Sequence, residues 1–207
     1  MIPAQEALQR LRDGNARFVS ETRNEGASTS SSRRIELATQ QYPYAIILGC
    51  SDSRVPAEII FDQGLGDLFV IRVAGNIVAP SQIGSVEFAA ERYGTRLVVV
   101  LGHSSCGAIT ATLEELSRNS REQSPNLRSI VNRVRPAIQA LLSTSLANDP
   151  EVLVRHAVRA NIRMSADHLR HGSELLEHLI QDTGLLVVGA EYNLETGVVE
   201  FFDGMDD

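Results

Sequence analysis

Residues 96–109 read RLVVVLGHSSCGAI. Arg96–Leu101 is a short, continuous aliphatic run, which predicts a strand buried on both faces. A loop follows from Gly102, and Ala108–Ser117 has the apolar spacing of a helix. Strand, loop and helix in succession are the building unit of an α/β fold. The unit recurs upstream. Tyr44–Gly49 is another apolar run, ending in a loop that holds Cys50–Pro56. Leu68–Val73 is a further run, followed by the turn Ala74-Gly75-Asn76 and by helical spacing over Ile83–Tyr93. Downstream, residues 125–182 are mostly helical in pattern, and Leu185–Ala190 is a fourth strand. Glu191–Gly197 reads as a hairpin turn and Val198–Phe202 as a closing antiparallel strand. The expected class is α/β: a central, mostly parallel sheet of four strands plus one antiparallel edge strand, with helices on both faces. No internal repeat is present.

Ahead of the first strand, Ala7, Leu8, Leu11, Ala16 and Phe18 form an apolar stripe at helical period, which Asp13-Gly14-Asn15 is expected to break. Residues 21–34, ETRNEGASTSSSRR, are polar and Ser-rich and read as a mobile arm or linker. A helix on such an arm is expected to pack on a neighbour. The chain's 207 residues suffice for one domain with a full core. Its net charge of −7 argues against a nucleic-acid partner or an anionic membrane surface. Two cysteines fit a reducing compartment. The first twenty residues have no uninterrupted apolar stretch of the signal-peptide kind, and none approaches a membrane span of roughly 20 apolar residues. A cytoplasmic location is the default expectation.

The only two cysteines, Cys50 and Cys106, sit where a zinc site would need them. Cys50 opens Cys50-Ser51-Asp52-Ser53-Arg54, and Cys106 closes His103-Ser104-Ser105-Cys106. In open α/β sheets, sites form beyond the carboxyl ends of the strands, and both segments follow a predicted strand. Two thiolates and an imidazole are three good zinc ligands, and a catalytic zinc keeps a fourth position open. Asp52 in that position would close the site. Asp52 held by a bidentate pair with Arg54 would leave it free for water. The same spacing also admits two inert buried cysteines, one satisfied histidine and a plain Asp52–Arg54 salt bridge. His156, His168, His171 and His178 fall on predicted helices and read as solvated.

The segments CSDSRVPAEIIFDQGLGDLFVIRVAGNIV (50–78) and GHSSCGAI (102–109) resemble the β-class carbonic anhydrases. EALQRLRDGNARFV near the start and LLVVGAEYNLETGVVEFF near the end are similar to that family's ends. The resemblance implies reversible hydration of carbon dioxide to bicarbonate and a proton at a zinc centre. It implies that Cys50, His103 and Cys106 are the zinc ligands. Asp52 and Arg54 would be the catalytic dyad, with Asp52 able to become a fourth ligand in an inactive form. Gln41, Phe69, Phe88 and the backbone N–H of Gly107 would bind substrate, Gln41 across a subunit interface. It also implies a homodimer, paired again into a tetramer in some members, with residues 1–34 as the dimerisation arm and 35–207 as the zinc-binding catalytic domain. Ile47 stands where members regulated by bicarbonate carry Trp, so their bicarbonate pocket is not expected here, although Arg72 matches its arginine. Val73 stands where many members carry Asn. Two other readings remain open: a hydrolase of carbonyl sulfide or carbon disulfide on the same scaffold, and a non-catalytic zinc-binding protein with Asp52 fixed on the metal.

Overall fold

Five strands make one sheet in the order β2-β1-β3-β4-β5. They are β1 (Ala45–Gly49), β2 (Leu68–Arg72), β3 (Leu97–His103), β4 (Leu186–Tyr192) and β5 (Val199–Asp203). The computed structural model describes residues 2–22, 29–118 and 124–205. β1 pairs in parallel with β2 and β3, and β3 with β4; β5 runs antiparallel beside β4. This is the sheet expected from the apolar runs. Every residue of β1 and β3 is buried, as strands covered on both faces must be.

Alternate residues serve two separate cores. Ile46, Leu48, Val98, Val100 and Val187 join the cluster built with helices α4 (Pro80–Arg92), α5 (Gly107–Arg118), α6 (Pro125–Ile138), α7 (Pro150–His171) and α8 (Glu174–Thr183). Ala45, Ile47, Val99, Leu101 and Val188 join the cluster built with α1 (Ala4–Val19) and α3 (Ala57–Ile60). α7 starts cleanly because Pro150 needs no N–H partner and Asp149 Oδ1 accepts from the N–H groups of Glu151 and Val152. It lies close to the sheet because β3 and β4 offer glycines beneath it. A Cβ on Gly102 would come within 2.5 Å of Ile162 Cδ1, and one on Gly189 within 2.8 Å of Ile162 Cγ2.

Three expectations about the first forty residues need revising. Asp13-Gly14-Asn15 does not break α1, which is continuous from Ala4 to Val19. Gly14 is there for close approach, since any Cβ would collide with the Phe61 carbonyl oxygen. Asn15 then donates to the carbonyls of Ile60 and Gly197 and accepts from Val199 N–H. Within the single chain, α1 is not spare: Ala7, Leu8 and Leu11 are buried against the chain's own sheet. Part of the predicted linker is also helical. α2 spans Ser31–Leu37, capped by Ser30 Oγ on Arg33 N–H and fastened by Arg33 to Asp67 and the Leu65 carbonyl. Residues 23–28 of that segment lie outside the described residues.

Candidate metal centre

Cys50 follows β1, and His103 ends β3. The register pairs Gly49 with Leu101, so both residues leave the same edge of the sheet on adjacent strands. Cys106 precedes α5, brought back by a tight turn in which Ser105 takes a positive φ of 54°. The two sulfurs and a ring nitrogen of His103 all lie within 4.8 Å of one another, and all three residues are buried. Among the described residues this is the one group of three such donors. Both cysteines are free thiols.

The group has the character of a metal site. His103 Nδ1 lies 2.9 Å from the Ser104 carbonyl oxygen. A carbonyl only accepts, so Nδ1 carries the hydrogen and Nε2 presents a lone pair. That Nε2 is buried without a hydrogen-bond partner, a destabilising arrangement unless something else binds it. The thiols sense each other. Contact with Cys106 lowers the Cys50 thiol from its ordinary range, with help from His103 and the N–H groups of Asp52 and Gly75 and against the effect of burial. The same contact, with burial, pushes Cys106 upward. Burial and the neighbouring sulfur thus oppose a second negative charge in the pair, which a bound cation would offset. Two thiolates and a neutral imidazole are the donor set that zinc prefers.

Asp52 sits at the rim. Arg54 donates from Nε to Oδ1 at 2.9 Å and from Nη2 to Oδ2 at 2.7 Å, and its backbone N–H reaches Oδ1 at 3.0 Å. Arg54 thus holds the carboxyl well below the usual carboxylate range, chiefly through the side-chain bonds. Oδ2 is 3.8 Å from His103 Nε2, so the carboxylate faces the cluster without belonging to it. The loop backbone is tied down by Arg72, from Nε to the Cys50 carbonyl at 3.0 Å and from Nη2 to the Asp52 carbonyl at 2.6 Å. The guanidinium that matches the bicarbonate-pocket arginine is thus engaged with the loop, and Ile47 is buried in the core of the opposite face. Gly107 begins α5, where the first N–H groups lie outside the helix's own ladder.

The remaining predicted substrate residues assemble elsewhere. Gln41 Nε2 donates to the Tyr93 hydroxyl at 2.8 Å. The rings of Phe69, Phe88 and Tyr93 have centroids 5.7–6.2 Å apart. Tyr93 joins the three and was missed from sequence; its only signal is an aromatic ring just past a helix end. Phe69 pairs with Ile46 near the start of the strands, whereas Arg72, three residues on, pairs with Gly49 next to Cys50. The strand length between them is about 10 Å at ~3.3 Å per residue. Within one chain, then, Gln41, Phe69 and Phe88 stand together at the end of the sheet opposite Cys50, His103 and Cys106. Also missed was Gly75, whose N–H donates to the Cys50 sulfur at 3.4 Å. On α7, His171 faces Asp167 at 3.5 Å, and no helical histidine joins a group of three metal donors among the described residues.

A family model described as "Carbonic anhydrase" matches residues 45–199. Carbonic anhydrase 2 of Mycobacterium tuberculosis is 38% identical over 191 residues, spanning 92% of this chain and 89% of that protein. The carbonic anhydrase of Mycolicibacterium smegmatis is 38% identical over 201 residues, spanning 97% and 94%. Among solved structures, a tetrameric β-carbonic anhydrase of Sordaria macrospora superposes with a TM-score of 0.73 at 24% identity, covering 81% of this chain and 84% of that one.

Proposed function

This chain belongs to the β-carbonic anhydrase family, and on that premise we propose that its zinc centre rests open, with Arg54 holding Asp52 away from the metal. The protein is a zinc lyase that interconverts carbon dioxide and bicarbonate. Cys50, His103 and Cys106 would hold the zinc. When bound, zinc supplies the Lewis acidity that turns water into a nucleophile near neutral pH. The observation that carries the open reading is the two-point Arg54–Asp52 pair, 3.8 Å from an unpartnered His103 Nε2.

The chain's own residues divide the remaining work. His103 keeps its hydrogen on Nδ1 through the Ser104 carbonyl, so Nε2 is always the donor atom. Asp52, ionised and immobilised, accepts a hydrogen bond from the attacking water and orients its lone pair toward the carbon. The Gly107 N–H, at a helix start, favours the negative charge that develops on the substrate oxygens. Gln41 and the Phe69–Phe88 pair would complete the pocket from a second copy of the chain. Supporting this is the exposed apolar surface among them: Phe88 is 51% exposed, and Tyr42, which lines the same cleft as Gln41 and Tyr93, is 61% exposed. Residues 1–34 would contribute to this interface through α2, which has no buried residue. A homodimer is therefore the active unit in this reading, and pairing into a tetramer is consistent with the Sordaria macrospora relative. No helix among the described residues is long and apolar enough to cross a membrane. A cytoplasmic setting is part of the proposal, supported by two buried free thiols. The sulfur-substrate and non-catalytic readings are not favoured by the family or by the two closely named relatives.

Stopped-flow hydration of carbon dioxide on zinc-loaded protein, from neutral to mildly alkaline pH, tests this. Substantial activity already at neutrality is expected. Activity emerging only at alkaline pH would show that Asp52 closes the centre.

A further inference from the structure

Asn161 lies in the middle of α7 and is 1% exposed. Its Nδ2 is 2.8 Å from the Gly75 carbonyl oxygen. A carbonyl only accepts, so the amide NH2 group is the part that faces it. The other side of the same residue, the Gly75 N–H, donates to the Cys50 sulfur. Gly75 therefore stands between a side chain of α7 and a candidate metal ligand on the β1 loop.

The turn has to be held in place. Gly75 has φ 71° and Asn76 φ 42°, both left-handed, a conformation that glycine adopts freely and that asparagine tolerates better than other side chains. A Cβ on Gly75 would meet Ala108 Cβ at 3.1 Å, so a stiffer residue does not fit easily. Glycine has the freest backbone of any residue, and its N–H direction is not self-determined. The turn is closed by the Asn76 backbone N–H on the Val73 carbonyl at 3.0 Å, but the Asn76 side-chain amide adds nothing to it, its Nδ2 being buried without a partner. The external clamp is Asn161. It reaches the turn because Ile162, its neighbour, seats α7 over Gly102 and Gly189.

We propose that Asn161 is a positioning residue for the metal centre: by fixing the Gly75 carbonyl it aims the Gly75 N–H at the Cys50 sulfur and so tempers the charge which that thiolate gives the metal. The inference rests on Cys50 being a zinc ligand. An N–H bond to a coordinated thiolate draws electron density off the sulfur. The metal then stays more electropositive than two unmodified thiolates would leave it. Groups of this kind, one step removed from the ligands, orient them and tune the metal.

Cobalt in place of zinc gives the readout, because the thiolate-to-cobalt charge-transfer band reports the sulfur's donor strength. In Asn161→Ala and Asn161→Asp that band should move to longer wavelength as the sulfur becomes a stronger donor, while the lost orientation of the Cys50 ligand outweighs that gain and lowers zinc affinity in chelator competition about 10- to 100-fold. Asn15→Ala is the control. It removes a buried amide with three backbone bonds on the opposite face of the sheet, and it should lower the melting temperature without moving the band. Folded Asn161 variants with an unmoved band and unchanged zinc affinity would overturn the proposal, as would an equal shift in Asn15→Ala. If neither Asn161 variant folds, wild-type protein loaded with NMR-active cadmium decides. A scalar coupling between the metal and the Gly75 amide proton, carried through the Cys50 sulfur, is expected, and its absence refutes the first link. A wild-type protein that binds cobalt without any thiolate band would instead sink the metal assignment itself.

Discussion

Gly102→Ala should loosen the whole α7 side of the metal centre. Gly102 immediately precedes His103 on β3, and its missing side chain is what admits α7. An alanine Cβ would stand 2.5 Å from Ile162 Cδ1 and 2.6 Å from Cγ1. Carbon atoms in contact prefer about 3.5–4.0 Å, so the overlap is about 1 Å. Ile162 has no room to withdraw. It is fully buried, and its Cγ2 already lies where a Cβ on Gly189 would come within 2.8 Å. The helix itself must therefore lift, carrying Asn161 with it. Overpacking of this kind costs about 1–3 kcal/mol. In a domain of this size each kcal/mol lowers the melting temperature by about 2–4 °C, so a drop of about 2–12 °C is expected. Thermal and urea unfolding of the zinc-loaded protein measure it. Ile162→Ala alone should cost about 2–5 kcal/mol through the cavity it leaves. The double variant should cost less than the sum of the two by about 0.5–3 kcal/mol, since the small side chain relieves the clash. Strict additivity, or a Gly102→Ala protein that melts like wild type, would refute the close-approach argument.

Four other perturbations probe the site. Arg54→Ala removes both side-chain bonds to Asp52, and the carboxylate, still ionised at neutral pH, becomes free to move onto the metal; hydration near neutrality should fall at least tenfold while zinc content stays at one per chain. The pH sign follows from the depressed carboxyl of Asp52: the pair's stabilisation is complete above the ordinary carboxylate range near pH ~4 and is lost only as pH falls below it. Its carboxyl carbon should thus show no NMR step of the size of carboxyl protonation between about pH 5 and 8, in zinc-free as in zinc-loaded protein, and a full protonation step there would contradict the pairing. Stripping zinc with a chelator should abolish activity and lower the melting temperature, because His103 Nε2 is left buried and unpaired, with both reversed by added zinc; an apo-protein as stable as the loaded one would argue against the ligand set. Mixing Gln41→Ala with Cys50→Ala subunits should restore activity that neither homodimer has, as one hybrid pocket then holds both an intact metal centre and an intact glutamine; no recovery after verified subunit exchange would place Gln41 outside the shared pocket.

The elements most legible in the sequence were those whose burial is total. β1 and β3 are covered on both faces, so their composition leaves no choice but strand. The metal donors were legible for a related reason: only two cysteines exist, and each follows or closely trails such a strand. What stayed hidden was whatever depends on a distant surface. Gly14 reads as a helix breaker until Phe61 is known to lie against it. Residues 31–34 read as linker because serine is common in loops, yet Ser30 caps a helix over Ser31–Leu37 that Asp67 and Leu65 hold from elsewhere in the chain. Asn161 carried a faint signal: it interrupts the apolar stripe of Val158, Ile162 and Leu169 with an amide that has to find a partner. Nothing in its own segment names that partner.

The separation of the proposed substrate residues from the metal donors is of a different kind, because it follows from the sheet. Parallel strands send all their carboxyl ends to one edge, and the loops bearing Cys50, His103 and Cys106 must gather there. Phe69 is the second residue of β2, and Phe88 and Tyr93 lie on and just past the helix returning to that same starting edge, so within one chain their rings gather at the end of the sheet away from the metal donors. A chain that needs both groups in one pocket has to borrow one of them. A two-fold related copy supplies it with no additional sequence, since the same contact that lends one chain's aromatic end to its partner also receives the partner's in return. The exposed Phe88 and Tyr42, out of place on a finished monomer surface, are what such an exchange would leave uncovered in a single chain.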